Sequence, residues 1–169
     1  MTHVAWLEAL SPWPRDGFGL DRMRALLAAL GEPQAGLPAV HVVGTNGKST
    51  TTRKVEELLG ATGLRVGAYL SPHVRSWAER IRVDGAEADL EALLAEVRPA
   101  AQLLEATQFE ALTAAASTSA ARNATSAAAV STSNWVASTP SAAGRTSASA
   151  TARSASAPST RIRSAHERT

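Results

Sequence analysis

The 169 residues include no cysteine. That removes a disulfide framework and any thiolate metal site from consideration. No apolar run approaches the roughly 18 residues that a membrane-spanning helix needs. The opening Met1-Thr2-His3-Val4-Ala5-Trp6-Leu7-Glu8 has neither a basic start nor a signal-type apolar core. The expectation is a soluble cytoplasmic protein with no membrane partner. Net charge is also small, at +2, and unevenly placed. Residues 1–116 hold 11 Lys and Arg against 14 Asp and Glu, whereas residues 117–169 hold 6 Arg against one Glu. The basic surplus sits wholly in the second stretch, so no nucleic-acid partner is expected.

Residues 117–169 lack more than acid. They contain no Leu, Lys or Phe and a single Ile, and 36 of the 53 are Ala, Ser or Thr. Such a composition cannot bury enough apolar area to offset the entropy of ordering the chain. Two regions follow: an ordered part, 1–116, and a low-complexity, disordered tail, 117–169.

The ordered part is organised around Val40-His41-Val42-Val43-Gly44-Thr45-Asn46-Gly47-Lys48-Ser49-Thr50. An apolar strand (39–43) runs into a glycine turn and then a helix carrying Val55, Leu58 and Leu59 on one side. Nucleotide phosphates need backbone N–H groups at close range, the positive end of a helix and a long ammonium. Gly44, Thr45, Asn46 and Gly47 supply the loop and Lys48 the charge. Ser49 or Thr50 supplies a hydroxyl for a Mg²⁺ bridging two phosphates. The general phosphate-loop pattern would place a glycine at position 42, where this chain has Val42.

Around that loop the periodicity predicts a short helix over 3–10 and a second from Leu20 to Leu30, closed by Gly31 and Pro33. After the loop helix, Gly63 precedes a strand from Arg65 to Leu70. Strand, helix and strand of this length imply parallel strands in a right-handed unit. Ligands of open parallel sheets sit at the strands' carboxyl ends, so the Gly44–Lys48 loop and Ser71-Pro72-His73 should meet in one site. Glu79 to Asp84 alternates as a half-buried strand whose charges read as a solvated face. A helix begins near Asp89, kinks or ends at Pro99 and resumes over 100–106. Another starts at Gln108 and carries Glu110.

Gly44-Thr45-Asn46-Gly47-Lys48 resembles the ATP loop of the Mur-ligase superfamily. The surroundings resemble its folylpolyglutamate synthase/dihydrofolate synthase branch: His41-Val42 before the loop, Arg65-Val66-Gly67 leading to Ser71-Pro72-His73, Glu79-Arg80-Ile81, Phe109 to Thr113, and Gly19-Leu20-Asp21-Arg22-Met23 upstream. Ser49-Thr50 stands where the branch commonly has Gly-Ser, which leaves open which hydroxyl meets the metal. The resemblance implies an α/β fold, an incomplete parallel-sheet ATPase domain of the Mur-ligase type. It implies an ATP- and Mg²⁺-dependent ligase, a monomer, joining L-glutamate to dihydropteroate or a reduced folate through an acyl phosphate. By the same resemblance Lys48 is catalytic, Ser71 is a second magnesium ligand beside Ser49, and His73, Arg80 and Glu110 lie on the substrate side.

The genetic code offers a reading of the tail. One base back in frame, the codons permitted for Ser131 to Pro140 accommodate Val-Asp-Val-Glu-Leu-Gly-Gly-Leu-Asp-Ala. The resembled family carries a similar segment at about this distance after its Phe-Glu-Ala-Leu-Thr, and that segment holds a glutamate of the magnesium site. The expectation is a frameshift near residue 117 and a truncated, unstable and inactive chain. A peptidoglycan Mur ligase, a phosphate-loop kinase and a non-enzymatic fragment stand as the alternatives.

Overall fold

The computed structural model describes residues 1–15, 17, 19–122 and 127–131. Helix α1 (His3–Ala9) starts at Thr2, whose hydroxyl accepts from the Ala5 amide at 3.1 Å. Its first amides are held from outside: the Glu91 carboxylate accepts from the His3 and Val4 amides at 2.8 and 3.1 Å. Those bonds keep the Glu91 carboxyl below its ordinary range. Helix α2 (Asp21–Ala29) follows, then β1 (Ala39–His41), α3 (Lys48–Ala61) and β2 (Arg65–Tyr69). A 3₁₀ turn (Trp77–Arg80) leads into β3 (Ile81–Val83) and β4 (Ala86–Glu87). Helices α4 (Leu90–Leu103) and α5 (Gln108–Arg122) and strand β5 (Ala127–Ser131) complete the order.

The sheet runs β1-β5-β2-β3-β4. Strands β1, β5 and β2 are parallel, with Val40 and Ala68 both opposite Val130. The expected parallel relation of β1 and β2 therefore holds through an intervening strand. Strand β3 is antiparallel to β2, and Asp84-Gly85, both at positive φ, turn it tightly into β4.

Helices cover both faces. Gly67 and Tyr69 face α5, so close that a Cβ on Gly67 would stand 3.3 Å from that of Ala120. There Trp6, Leu7, Leu26, Leu27, Ile81, Leu93, Leu94, Val97 and Leu112 form one buried cluster joining α1, α2, α4 and α5. The opposite face, marked by Ala68 and its partner Arg82, lies under α3.

Several sequence expectations shift here. Helix α4 is continuous through Pro99, because Val97 and Ala101, both buried, hold the turns on either side to the core. The strand expected over 79–84 begins at Ile81, since Glu79 and Arg80 belong to the 3₁₀ turn. Helix α3 does not bury Val55, Leu58 and Leu59: its buried residues are Thr52 and Glu56, and Leu58 is 68% exposed. The reason is Arg82, which rises from the sheet toward α3 and takes a buried carboxylate as its partner. The compositional boundary at 116 falls inside α5, where Ser117, Thr118, Ser119 and Ala120 are buried. Small side chains are what the close approach to Gly67 admits. Strand β5 also lies past that boundary, and the expected tail beyond residue 131 is outside the described residues.

Candidate active site

The loop between β1 and α3 is shaped by two glycines. Gly44 has φ 151° and Gly47 φ 75°, values that side-chain-bearing residues rarely adopt. Gly47 is the N-cap of α3 and provides no side-chain cap. The first-turn amides of a 14-residue helix are thus left to an outside acceptor, with no acidic side chain nearby to oppose an anion. Lys48 folds back over the loop, and its Nζ donates to the Gly44 carbonyl at 2.8 Å and, at 3.5 Å, to that of Thr45. The ammonium is held above the turn by neutral acceptors alone, an arrangement that an incoming phosphate can displace. Thr45, Asn46 and Thr50 are exposed on the same loop.

Ser49 decides the contact with the second motif. Its hydroxyl donates to the Ser71 carbonyl at 3.3 Å, across 22 residues of sequence. The two loops leaving the carboxyl ends of β1 and β2 meet there, as their topology requires. Donation uses the Ser49 proton and leaves its oxygen lone pairs for a cation.

Past Ser71, whose bond to Pro72 is cis, the chain is tied down by Glu79. That carboxylate accepts from the Val74, Arg75 and Ser76 amides at 3.0, 2.7 and 2.9 Å. With the Ser76 hydroxyl it forms a capping box for the 3₁₀ turn. These amide bonds, with Arg75 helping, hold the Glu79 carboxyl below its ordinary range. His73 accepts at Nδ1 from Arg80 Nε at 2.9 Å. Its ring lies 4.3 Å from that of Trp77, and the Arg80 guanidinium stacks over the same indole at 4.6 Å. Burial, then the neighbouring Arg80 charge, pushes the His73 pKa down, as suits an imidazole that must accept at Nδ1. His73 and Arg80 are therefore brought together.

Glu110 is placed differently. It is buried at the start of α5, and one oxygen accepts from the Thr107 amide and hydroxyl, both at 2.8 Å, and from Arg22 Nε at 2.9 Å. It ties α2 to α5. The neighbouring Phe109 ring lies 6.4 Å from that of Tyr69, close to the end of β2 that leads to Ser71. Sequence reasoning missed the role of Glu79, whose signal was the Ser76-x-x-Glu79 spacing, and the Glu56–Arg82 pair, which leaves no local signal. Among the described residues no group of three or more His, Asp or Glu is disposed to hold a metal ion. No helix among them is long and apolar enough to cross a membrane.

No family model matches the chain. A dihydrofolate synthase/folylpolyglutamate synthase of Bacillus subtilis (strain 168) is 36% identical over 107 residues, covering 58% of this chain and 25% of that protein. The fold matches the folylpolyglutamate synthetase from Lactobacillus casei with a TM-score of 0.72 and 30% identity, over 82% of this chain and 38% of the other. A structure described as an FPGS-AMPPCP-folate complex matches with a TM-score of 0.68 and 31% identity, over 78% of this chain and 35% of the other. The chain spans 13% to 25% of the length of the first curated relatives it matches. Its described part has the Mur-ligase-type α/β fold of these enzymes.

Proposed function

From this kinship with the folylpolyglutamate/dihydrofolate synthases, we propose that the chain carries the ATP-binding part of an ATP-dependent amide ligase. The ligase would add L-glutamate to dihydropteroate or a reduced folate. The observation that carries the reading is the junction of the two loops, Ser49 Oγ against the Ser71 carbonyl with Lys48 poised over Gly44. In the reaction a substrate carboxylate oxygen attacks the γ-phosphorus and ADP leaves. The glutamate amine then attacks the acyl carbon, loses its proton, and phosphate departs. The chain's part is positioning and charge neutralisation. Lys48 meets the β- and γ-phosphates, and the amides from Gly44 to Ser49 meet their oxygens.

The donor set fits magnesium. Ser49 keeps its lone pairs, and Ser71 lies beside it. Ser49 and Ser71 would hold it, and the ion would draw negative charge from the transferring phosphoryl group. Thr50, exposed and with no bond to the second loop, is the less suitable hydroxyl. Dependence on ATP suits a cytoplasmic location. A monomer is proposed with it.

The composition of residues 117–169 favours a second reading that is compatible with the first: a frameshifted, truncated and inactive chain. The test is to restore the frame from residue 117. ATP-dependent incorporation of labelled glutamate into dihydropteroate or tetrahydrofolate is then assayed for both chains. Activity in the restored chain alone supports both readings. Absence of activity in a folded restored chain defeats the ligase reading.

A further inference from the structure

The sheet has two outer edges, and only one of them is blunted. Strand β4 is two residues long and ends in Glu87. A short, charged edge offers little to another strand. Strand β1 is the opposite edge: it pairs with β5 on one side and, among the described residues, with no strand on the other. Ala39, Val40 and His41 are all exposed, and the run from Ala39 to Val43 contains no Lys, Arg, Asp, Glu or Pro. It therefore lacks the residues that keep an open edge from templating a further strand.

Helix α3 leaves an apolar strip beside the same edge. Arg53 and Gly60 line one cleft with Arg82 of β3, so that flank of the helix faces β3. At about 100° per residue, Thr51, Val55, Leu58 and Thr62 project from the other flank, toward β1. Val40 belongs to the same face of the sheet, being in register with Val130 and, through it, with Ala68. Val40 is 42% and Leu58 68% exposed. No residue of the strip carries a charge, so two identical strips meet without like-charge repulsion. The same neutrality disfavours nucleic acid or a charged peptide as partner.

Two neutral occupants compete for the edge: residues 132–169 and a second copy of the chain. The first follows Ser131, opposite His41 on the inner side of β1, and has only Trp135, Val136 and Ile162 as large apolar side chains. To reach the outer edge it would also have to cross the path from His41 to Gly44, and connections avoid such crossings. A second copy meets no such obstacle. Turned about a two-fold axis normal to the sheet at Val40, it sets Ala39 of each copy opposite His41 of the other. Both α3 helices then fall on one face, flank to flank, which makes the contact self-complementary. Each Gly44 lies four residues from that axis, about 13 Å along its strand and at opposite ends, so both nucleotide loops stay open.

We propose that the outer edge of β1, with Val40 and the Val55–Leu58 flank of α3 beside it, is a pairing surface for a second copy of this chain. The two sheets join antiparallel through β1. One short strand and one helix flank bury well under the ~1,600 Å² of a standard interface, so pairing is weak and grows in toward millimolar protein. At low concentration the chain is the monomer proposed above. The pairing does not depend on the ligase reading.

The full chain is examined by sedimentation equilibrium from micromolar to millimolar concentration, with circular dichroism to confirm folding. The wild type is compared with Val40→Lys, Leu58→Lys and Trp135→Ser/Val136→Ser. The wild type should fit a monomer–dimer equilibrium, and hydrogen exchange along Ala39 to His41 should slow as the dimer forms. Val40→Lys and Leu58→Lys should each weaken dimerisation at least tenfold, and the Trp135/Val136 variant should leave it unchanged. If Val40→Lys does not fold, Leu58→Lys, on an exposed helix position, decides alone. A wild type that stays monomeric to millimolar concentration overturns the proposal, as does a dimer that Leu58→Lys leaves intact. Association that continues past the dimer overturns the two-fold pairing. Dimers that appear only in the Trp135/Val136 variant overturn it too, and give the edge to residues 132–169.

Discussion

The two faces of the sheet are closed by different chemistry. Under α1, α2, α4 and α5 the contacts are Trp, Leu, Val and Met side chains, with Leu7, Leu94, Val97 and Leu112 wholly buried. Under α3 the buried groups on the helix are Thr52 and Glu56, while Leu58 is 68% and Val43 74% exposed. The first face is held by apolar area, a non-directional force that tolerates small shifts. On the second, Val66 and Ala68 are buried on the sheet, and the helix adds a directional contact, the Glu56–Arg82 ion pair, while its N-terminus has no side-chain cap. A helix whose first turn is to meet phosphates gains from that arrangement, because side-chain caps there would compete with the ligand.

Substitution can break this comparison at its strongest point. Leu94→Ala should lower unfolding stability by ~2–5 kcal/mol in urea titrations, whereas Leu58→Ala should change it by less than ~0.5 kcal/mol. Equal losses would mean that the faces are alike. Next in size, Glu56→Gln should cost roughly 3 kcal/mol, since it leaves a largely buried Arg82 without its charge partner. Replacing Glu56 and Arg82 together by leucine should recover most of that loss. Lys48→Ala should leave stability within ~0.5 kcal/mol and weaken nucleotide binding at least tenfold by calorimetry, separating the binding loop from the fold.

The smallest effect concerns pH. His73 and Glu79 both have folded pKa values below their ordinary 6.5 and 4.5. A lowered folded value means that the unfolded chain binds more protons in the intervening window. Their contributions are thus complete above the ordinary values and are lost as pH falls through the lowered ones. His73 should titrate by NMR below 6.5. Arg80→Ala should raise it part of the way back, since burial is the larger cause. A His73 value at or above 6.5 would contradict the stacked geometry.

The extent to which the sequence anticipates this molecule follows the same division. The apolar helices α1 and α2 were readable within a residue or two, and α4 at its start, because their faces repeat at helical spacing and bury against one another. The glycine turn between β1 and α3 was readable because Gly44 and Gly47 each answer a local demand of geometry. The buried face of α3 was not, since its determinant, Arg82, lies 26 residues from Glu56. The hairpin after Asp84-Gly85 was missed because β4 is only two residues long, too short to show alternation. Strand β5 was missed because alanine and serine have little strand preference of their own, and its place between β1 and β2 is a property of the sheet. His73, Arg80 and Glu110 were singled out through resemblance. Their pairing with one another or with Arg22 became visible only in three dimensions.

The most direct test of the account is to follow amide NMR shifts of the chain on adding MgADP at millimolar concentration, high enough to register weak binding. The account predicts that the largest shifts fall on Gly44 to Thr50 and on Ser71. It is contradicted if the folded chain shows no shifts, or if they cluster away from that loop.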